Sequence, residues 1–268
     1  MAEEILRLEN ITKIFPLGDG KTLTACDHIN VSLKAGQSFG IVGESGSGKS
    51  TLVKILTRVY EATEGKIIFH GKDITHLSGE ELRQHRRSIQ MIFQDPSTAF
   101  NPRLRVRDII CEPLLNFNLI EKSAVDAKAR EMLRLVDLPE DFAGRYPNNM
   151  SGGQRQRVAI ARALTLEPEV ILCDESTSAL DVSVQKTIVD LLKKLQAEKH
   201  IAYLFICHDL SLANSFCDEI LVMQHGKAVE TIYDLREAKT EYSKKLLGSI
   251  LTVEEGKNKI LPDSLFED

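Results

Sequence analysis

The apolar positions near the start of the chain recur every second residue. Ile5-Leu6-Arg7-Leu8 and Ile29-Asn30-Val31-Ser32-Leu33 have the period of half-buried strands, and Gln37 to Val42 forms a third strand-like run. Leu17-Gly18-Asp19-Gly20-Lys21 between the first two predicts a hairpin tip. The spacing then turns helical at Leu52-Val53-Lys54-Ile55-Leu56 and returns to strand at Lys66-Ile67-Ile68-Phe69, before the turn at Gly71, and again at Ile89 to Phe93. Proline ends that last run at Gln94-Asp95-Pro96.

From there to about Arg145 the character changes. Asn101-Pro102 and Glu112-Pro113 interrupt it, and a helix is predicted from Ser123, with Asp126 at capping spacing and Val125, Ala129, Met132 and Val136 on one face. A second helix runs from Ser151 through Leu164, and strand character returns only at Val170. Beyond it lie a long amphipathic helix with Ile188, Leu191, Leu192 and Leu195 on its core face, and an apolar strand from Ala202 to Cys207. A hairpin follows, Glu219–Gln224 with Lys227–Glu230 across His225-Gly226. After Ile232 the chain reads as helical and then polar, and its last dozen residues have the composition of a disordered tail. The pattern predicts an α/β sheet domain carrying a mostly helical insert.

Composition narrows the class. At 268 residues with 43% hydrophobic and 27% charged content, the chain can bury a substantial core and matches ordinary globular usage. No apolar run approaches the length of a membrane span, and Met1-Ala2-Glu3-Glu4 does not read as a leader. A net charge of −5 argues against nucleic acid as a partner. The cluster Arg83-Gln84-His85-Arg86-Arg87 reads as a solvated face before it reads as an RNA or lipid patch. The five cysteines form no Cys-x-x-Cys pair, and Cys173 and Cys207 sit inside apolar strands as small hydrophobes, a pattern that suits a reducing compartment. Cys207-His208 is not a nucleophile and its base, because neighbouring strand residues face opposite ways.

The chemistry concentrates at Gly43-Glu44-Ser45-Gly46-Ser47-Gly48-Lys49-Ser50-Thr51, a glycine-rich turn between a strand and a helix. Three glycines let the backbone fold tightly enough for amide groups and a helix N-terminus to converge on one anion. Lys49 supplies a cation for β- and γ-phosphates, and the Ser50 hydroxyl can ligate an accompanying Mg²⁺. Downstream, Val170-Ile171-Leu172-Cys173-Asp174-Glu175 is an apolar strand ending in two acids. Such acids are costly unless a cation meets them: Asp174 suits the metal shell and Glu175 the water that attacks the γ-phosphate.

Three further features have both a structural and a functional reading. Ser151-Gly152-Gly153-Gln154 has capping-box spacing, yet its two glycines are unfavourable in a helical turn and suit an open, phosphate-receiving helix end. His208, delivered by a strand to a loop where Asp209 caps the next helix, could sense a γ-phosphate or be structural. Phe15 could stack on a purine or fill the core.

In this order the motifs resemble the nucleotide-binding subunit of ATP-binding-cassette (ABC) transporters, over about residues 4–235. In that family's terms Gly43–Thr51 looks like Walker A, Gln94 like the Q-loop, Ser151–Gln154 like the signature with Met150 where leucine is usual, and Val170–Glu175 like Walker B. Ser178–Asp181 looks like the D-loop, His208 like the switch histidine and Phe15 like the aromatic A-loop.

The resemblance implies a P-loop NTPase (RecA-like) core with an antiparallel β subdomain and an inserted α-helical subdomain at about 95–165, all within a domain spanning 1–235, and a short C-terminal helix and tail at 236–268. It implies ATP and Mg²⁺ as cofactors. Phe15, Gly43–Thr51, Gln94 and Ser151–Gln154 would bind nucleotide, Ser50, Gln94 and Asp174 the metal, and Glu175 and His208 would be catalytic. Two cassettes would pack head to tail, identical or different, so that Ser151–Gln154 of one closes over ATP held by the other. The remaining partners would be two transmembrane permease subunits and, indirectly, an extracytoplasmic substrate-binding protein, with the cassette peripheral on the cytoplasmic face of the membrane.

Met91–Pro96, Asn101-Pro102-Arg103 and Ser178–Gln185 resemble the ATPases of bacterial peptide and nickel importers, and Gly153–Arg162 resembles the second ATPase of their pair. Such relatives often end in a cysteine cluster for iron–sulfur; with no cysteine after Cys217, none is expected here. Thr240-Glu241-Tyr242-Ser243 stands near the place of their His-Pro-Tyr-Thr. The rival readings are a soluble ABC ATPase acting on nucleic acid or ribosomes, for which no coiled coil, zinc pair or second cassette is present, and a regulatory cassette without turnover, against which Glu175 and His208 argue.

Overall fold

The computed structural model describes residues 3–93, 99–174 and 182–254, so Gln94, Glu175 and Ser178–Asp181 lie outside the described residues. It divides into two compact units, one built from Glu4–Leu33, Ser38–Thr75 and Phe205–Asp268, the other from Met1–Glu3, Lys34–Gln37 and His76–Leu204.

In the first unit the alternating segments form β1 (Glu4–Gly18) and β2 (Lys21–Lys34), joined at Asp19 and Gly20. Both turn residues have positive φ, 50° and 74°, as a tight two-residue hairpin turn demands. β1 also pairs antiparallel with β4 (Glu64–Phe69), which in turn pairs with the short β5 (Lys72–Asp73), giving the order β2-β1-β4-β5. The inward residues Leu6, Leu8, Ile29 and Leu33 are at most 1% exposed, so the two-residue period does mark the core face. β3 (Ser38–Val42) lies parallel to β9 (Glu219–Gln224), with Val42 opposite Val222. Their starts are tied by Asp218, whose carboxylate accepts from the Ser38 amide at 2.8 Å and the Ser38 hydroxyl at 2.7 Å. β9 returns antiparallel as β10 (Lys227–Ile232) across His225 and Gly226, both at positive φ. Helices α1 (Lys49–Leu56), α7 (Leu210–Phe216) and α8 (Glu241–Glu254) belong to the same unit.

In the second unit β6 (Ile89–Ile92) runs parallel to β7 (Val170–Asp174) in register from Ile89↔Val170 to Ile92↔Cys173. α2 (Gly79–Ser88) precedes β6, and α6 (Val182–Lys199) follows β7. The chain between β6 and β7 is, among the described residues, helical: α3 (Val106–Asn116), α4 (Val125–Leu135) and α5 (Gly152–Leu164), linked by 3₁₀ turns. Ile109, Ile110 and Leu114 of α3, Ala129, Met132 and Leu133 of α4, and Val158, Ala161 and Leu164 of α5 are buried at helical spacing. β8 (Ala202–Cys207) is buried along its whole length, and the unit boundary falls within it after Leu204.

One expectation is corrected. Ser123 does not cap α4: Lys122–Ala124 forms a 3₁₀ turn, α4 begins at Val125, and its N-cap makes no side-chain bond. Asp126 binds elsewhere, accepting from Arg130 at 2.7 Å and from Arg107 at 3.2 Å. These two guanidinium bonds hold its carboxyl below the ordinary carboxylate range. The cysteines follow expectation: Cys173 and Cys207 are buried, and burial pushes the Cys26 thiol up to about 12.

Candidate functional site

The turn after β3 is held from behind by two other segments. A β-carbon on Gly43 would stand 2.1 Å from the Met223 carbonyl oxygen of β9, and one on Gly48 would stand 2.2 Å from the Ala25 oxygen of β2. Those two glycines allow backbone to lie directly against backbone, whereas Gly46, at φ +82° with nothing within 4 Å, is required by conformation alone. The β9–β10 turn adds a brace: Gly226 N–H donates to the Ser47 carbonyl at 3.0 Å, and Asp27 N–H of β2 donates to the Gly226 carbonyl at 2.8 Å.

Lys49 is only 4% exposed, and its ammonium is satisfied by the loop itself. It donates to the Gly43 carbonyl at 2.6 Å, the Glu44 carbonyl at 2.9 Å and Ser47 Oγ at 3.3 Å. The Glu44 carbonyl also accepts from Ser47 N–H at 3.1 Å, and Glu44 N–H donates to the Tyr242 hydroxyl at 3.0 Å. The amides of Glu44 and Ser47 therefore already have protein partners, and the converging amides expected from the sequence must come from the rest of the stretch. Helix α1 has no side-chain cap and no acid in its first turn, so no side chain answers its positive end. Ser45, Gly46 and Ser50 are exposed around that end, and Thr51 is half-buried. An uncapped helix start beside an exposed hydroxyl and a buried cation fits a phosphate-bearing ligand.

Phe15 belongs to the same unit and is half-buried, so it is not a core residue. It meets Tyr60 edge-on at 5.4 Å between ring centroids, and Lys13 Nζ lies 5.0 Å from its ring. His208, also in this unit, is exposed, while the preceding Cys207 is buried and donates from Sγ to the Asp209 carbonyl at 3.0 Å. Asp209 caps α7 as its position predicts, accepting from Leu212 N–H at 3.0 Å.

The second unit holds Ser151–Gln154 and Asp174. Ser151 and Gln154 form the full capping box: Ser151 Oγ accepts from Gln154 N–H at 3.3 Å, and Gln154 Oε1 accepts from Ser151 N–H at 2.9 Å. Gly153 has a packing reason to be glycine, since its β-carbon would fall 2.7 Å from Val184 Cγ1 on α6. Valine is stiff at χ1 and cannot swing aside cheaply. Gly153→Ala is therefore expected to lower stability by about 1–2 kcal/mol despite the better helix propensity of alanine. In a Val184→Ala background the same change should turn neutral or stabilising, which a denaturant-unfolding cycle on the four proteins measures. Asp174 is half-buried at the end of a strand whose other four residues are fully buried.

Among the described residues no group of three or more His, Cys, Asp or Glu side chains is gathered to hold a metal ion. The exposed Ser50 hydroxyl at the start of α1 is an oxygen donor of the kind Mg²⁺ takes beside phosphate oxygens and waters.

Tyr242, Tyr60 and Gly226 each reach the turn or Phe15 from other segments. The sequence shows Gly226 only as a hairpin turn and Tyr242 only as part of a departure from a familiar motif, and nothing in the local spacing of any of the three points to the site.

A buried strand, a glycine turn held by backbone on two sides, an enclosed lysine and an uncapped helix together define the phosphate-binding end of a P-loop nucleoside triphosphatase cassette. The ABC transporter family profile matches residues 26–178. The chain belongs to that family as an ATP-binding subunit, and its activity is ATP hydrolysis coupled to transport. It is 48% identical over 235 residues to the oligopeptide transport ATP-binding protein AppF of Bacillus subtilis (strain 168), covering 85% of this chain and 71% of that one. It is 42% identical over 256 residues to the dipeptide transport ATP-binding protein DppF of Lactococcus lactis subsp. cremoris (strain MG1363), covering 92% and 81%. Among solved structures, a dimeric ATP-binding cassette in a post-hydrolysis state with ADP and phosphate superposes with a TM-score of 0.76 at 33% identity, over 85% of this chain and 98% of that one. The expected fold class is thereby borne out.

Proposed function

We propose that this chain powers a bacterial importer of short peptides. The observation that carries the substrate class is the likeness to proteins named for oligopeptide and dipeptide transport, extending over 85% and 92% of the chain. Both relatives are named for peptides, and this reading takes that half of the sequence-based expectation.

In this reading Lys49 and the exposed positions between Ser45 and Thr51 bind the phosphates of ATP, and Phe15 carries the adenine. Ser50 and Asp174 hold Mg²⁺, which when bound neutralises the charge developing on the γ-phosphate. Glu175 and His208 take the roles of base and γ-phosphate sensor, Gln94 links the metal to the helical segment, and Ser151–Gln154 closes over nucleotide held by a partner cassette. The partners are a second ATPase subunit, two permeases and, indirectly, an extracytoplasmic binding protein, with the subunit peripheral on the cytoplasmic face of the membrane. Domain limits of 1–235 and 236–268 go with this assignment.

Reconstitution tests it. ATP turnover by the chain with its permeases and companion ATPase in vesicles should rise several-fold when a peptide-loaded binding protein is added. A complex that responds to a nickel chelate and is indifferent to peptides would overturn the substrate class.

A further inference from the structure

In sequence, Thr240-Glu241-Tyr242-Ser243 stands out only as a departure from a familiar motif. In the structure it is where the C-terminal helix meets the phosphate loop. The Gly43–Glu44 peptide group is engaged at both ends: its carbonyl accepts from Lys49 Nζ at 2.6 Å, and its N–H donates to the Tyr242 hydroxyl at 3.0 Å. A peptide is planar, so fixing the N–H fixes the direction of the carbonyl and thus the place where the lysine ammonium is drawn. The two bonds also polarise one another through the shared group.

Tyr242 is well placed to exert such control because the start of α8 is anchored. The Glu230 carboxylate on β10 accepts from Lys239 N–H at 2.8 Å, Thr240 N–H at 3.2 Å and the Thr240 hydroxyl at 2.9 Å. The Thr240 hydroxyl oxygen accepts from Ser243 N–H at 3.2 Å, and the Ser243 side chain, in a fully buried residue, lies 2.8 Å from it. The same strand pair supplies the backbone behind the loop, through the Met223 carbonyl and Gly226 N–H. β9, β10 and the first turn of α8 thus form one frame around the back of the turn.

We infer that Tyr242 is a positioning residue for ATP binding: its hydroxyl, held by the frame, orients the Gly43–Glu44 peptide and through it sets the Lys49 ammonium. This rests on the assignment of Ser45–Thr51 to the nucleotide phosphates. Its effect, exerted through the loop, should follow the phosphates and not the base.

The test is Tyr242→Phe in the full chain, which removes one hydroxyl and keeps the ring. Calorimetric titration should show Mg-ATP and inorganic tripolyphosphate each binding about fivefold more weakly than to the wild type, the loss of one hydrogen bond. The melting temperature without ligand should stay where it was. Glu230→Gln, which loosens the anchor and leaves Tyr242 intact, should weaken both ligands in the same direction. Wild-type affinity for both ligands in Tyr242→Phe overturns the inference, as does a loss that appears with ATP alone or only in step with a lower melting temperature. Failure of the wild type itself to bind either ligand would instead strike at the nucleotide site, and the two outcomes cannot be confused.

Discussion

Lys49→Ala should leave a folded protein whose ATP turnover has fallen by roughly 10²–10³-fold, the scale associated with removing one preorganised group from a developing negative charge. The two halves of that expectation come from the same geometry. The lysine is 4% exposed, and its ammonium bonds Gly43 O, Glu44 O and Ser47 Oγ. Burying a cation is costly, and three charge-assisted bonds offset the cost. Removing the side chain deletes both terms together and leaves a polar cavity that water can enter to serve the stranded carbonyls. The unliganded stability should therefore move by no more than about 1–2 kcal/mol. ATP binding has no such compensation, because water does not replace a fixed positive charge opposite a triphosphate. Lys49→Arg should fail as well: three acceptors around one tetrahedral ammonium do not suit a planar fork. Phosphate release under saturating Mg-ATP, read beside thermal melts of the unliganded variants, separates the two effects. A variant with ordinary turnover would remove Lys49 from the phosphate site.

What could be read from the chain was what short stretches decide for themselves. Asp19-Gly20 and His225-Gly226 close their hairpins because left-handed backbone at a two-residue turn is a local requirement. The capping box of Ser151 and Gln154 and the cap at Asp209 formed as their spacing indicates, because donor and acceptor are three residues apart. Where a distant group competes, local spacing misleads. Asp126 has a capping position in sequence, yet Arg107, 19 residues away, and Arg130 take its carboxylate, and the turn before α4 tightens to 3₁₀ instead. Phe15 could not be assigned to core or surface because its environment is set by Tyr60 on another segment.

The candidate site divides along the same line. Its glycines, lysine and strand-end acid stand out by residue type and order, but the reason for each glycine does not. Gly153 is small because Val184 lies over it, and Tyr242 reaches Glu44 across 198 residues of sequence. Neither relation leaves a trace in local periodicity, since each depends on which surfaces the finished fold brings together.

Gly48→Ala is expected to be far more damaging than Gly46→Ala, and the space around the two positions shows why. Both positions have positive φ, +104° at Gly48 and +82° at Gly46, so alanine at either pays roughly 1–2 kcal/mol for a left-handed backbone. At Gly46 nothing lies within 4 Å of the added carbon and the cost should stop there. At Gly48 the carbon would stand 2.2 Å from the Ala25 carbonyl oxygen, a backbone atom. It cannot rotate away, so β2 must separate from the loop or α1 must start elsewhere. Overpacking of this kind adds a further 1–3 kcal/mol, for a total of about 2–5 kcal/mol. Against a typical domain stability of about 5–15 kcal/mol, that is enough to lower the urea midpoint strongly and, by displacing the first turn of α1, to abolish ATP binding even in molecules that remain folded. Gly46→Ala should keep most of its midpoint. Equal midpoints for the two variants would mean that β2 yields to the loop, and that Gly48 is needed for its backbone angle alone.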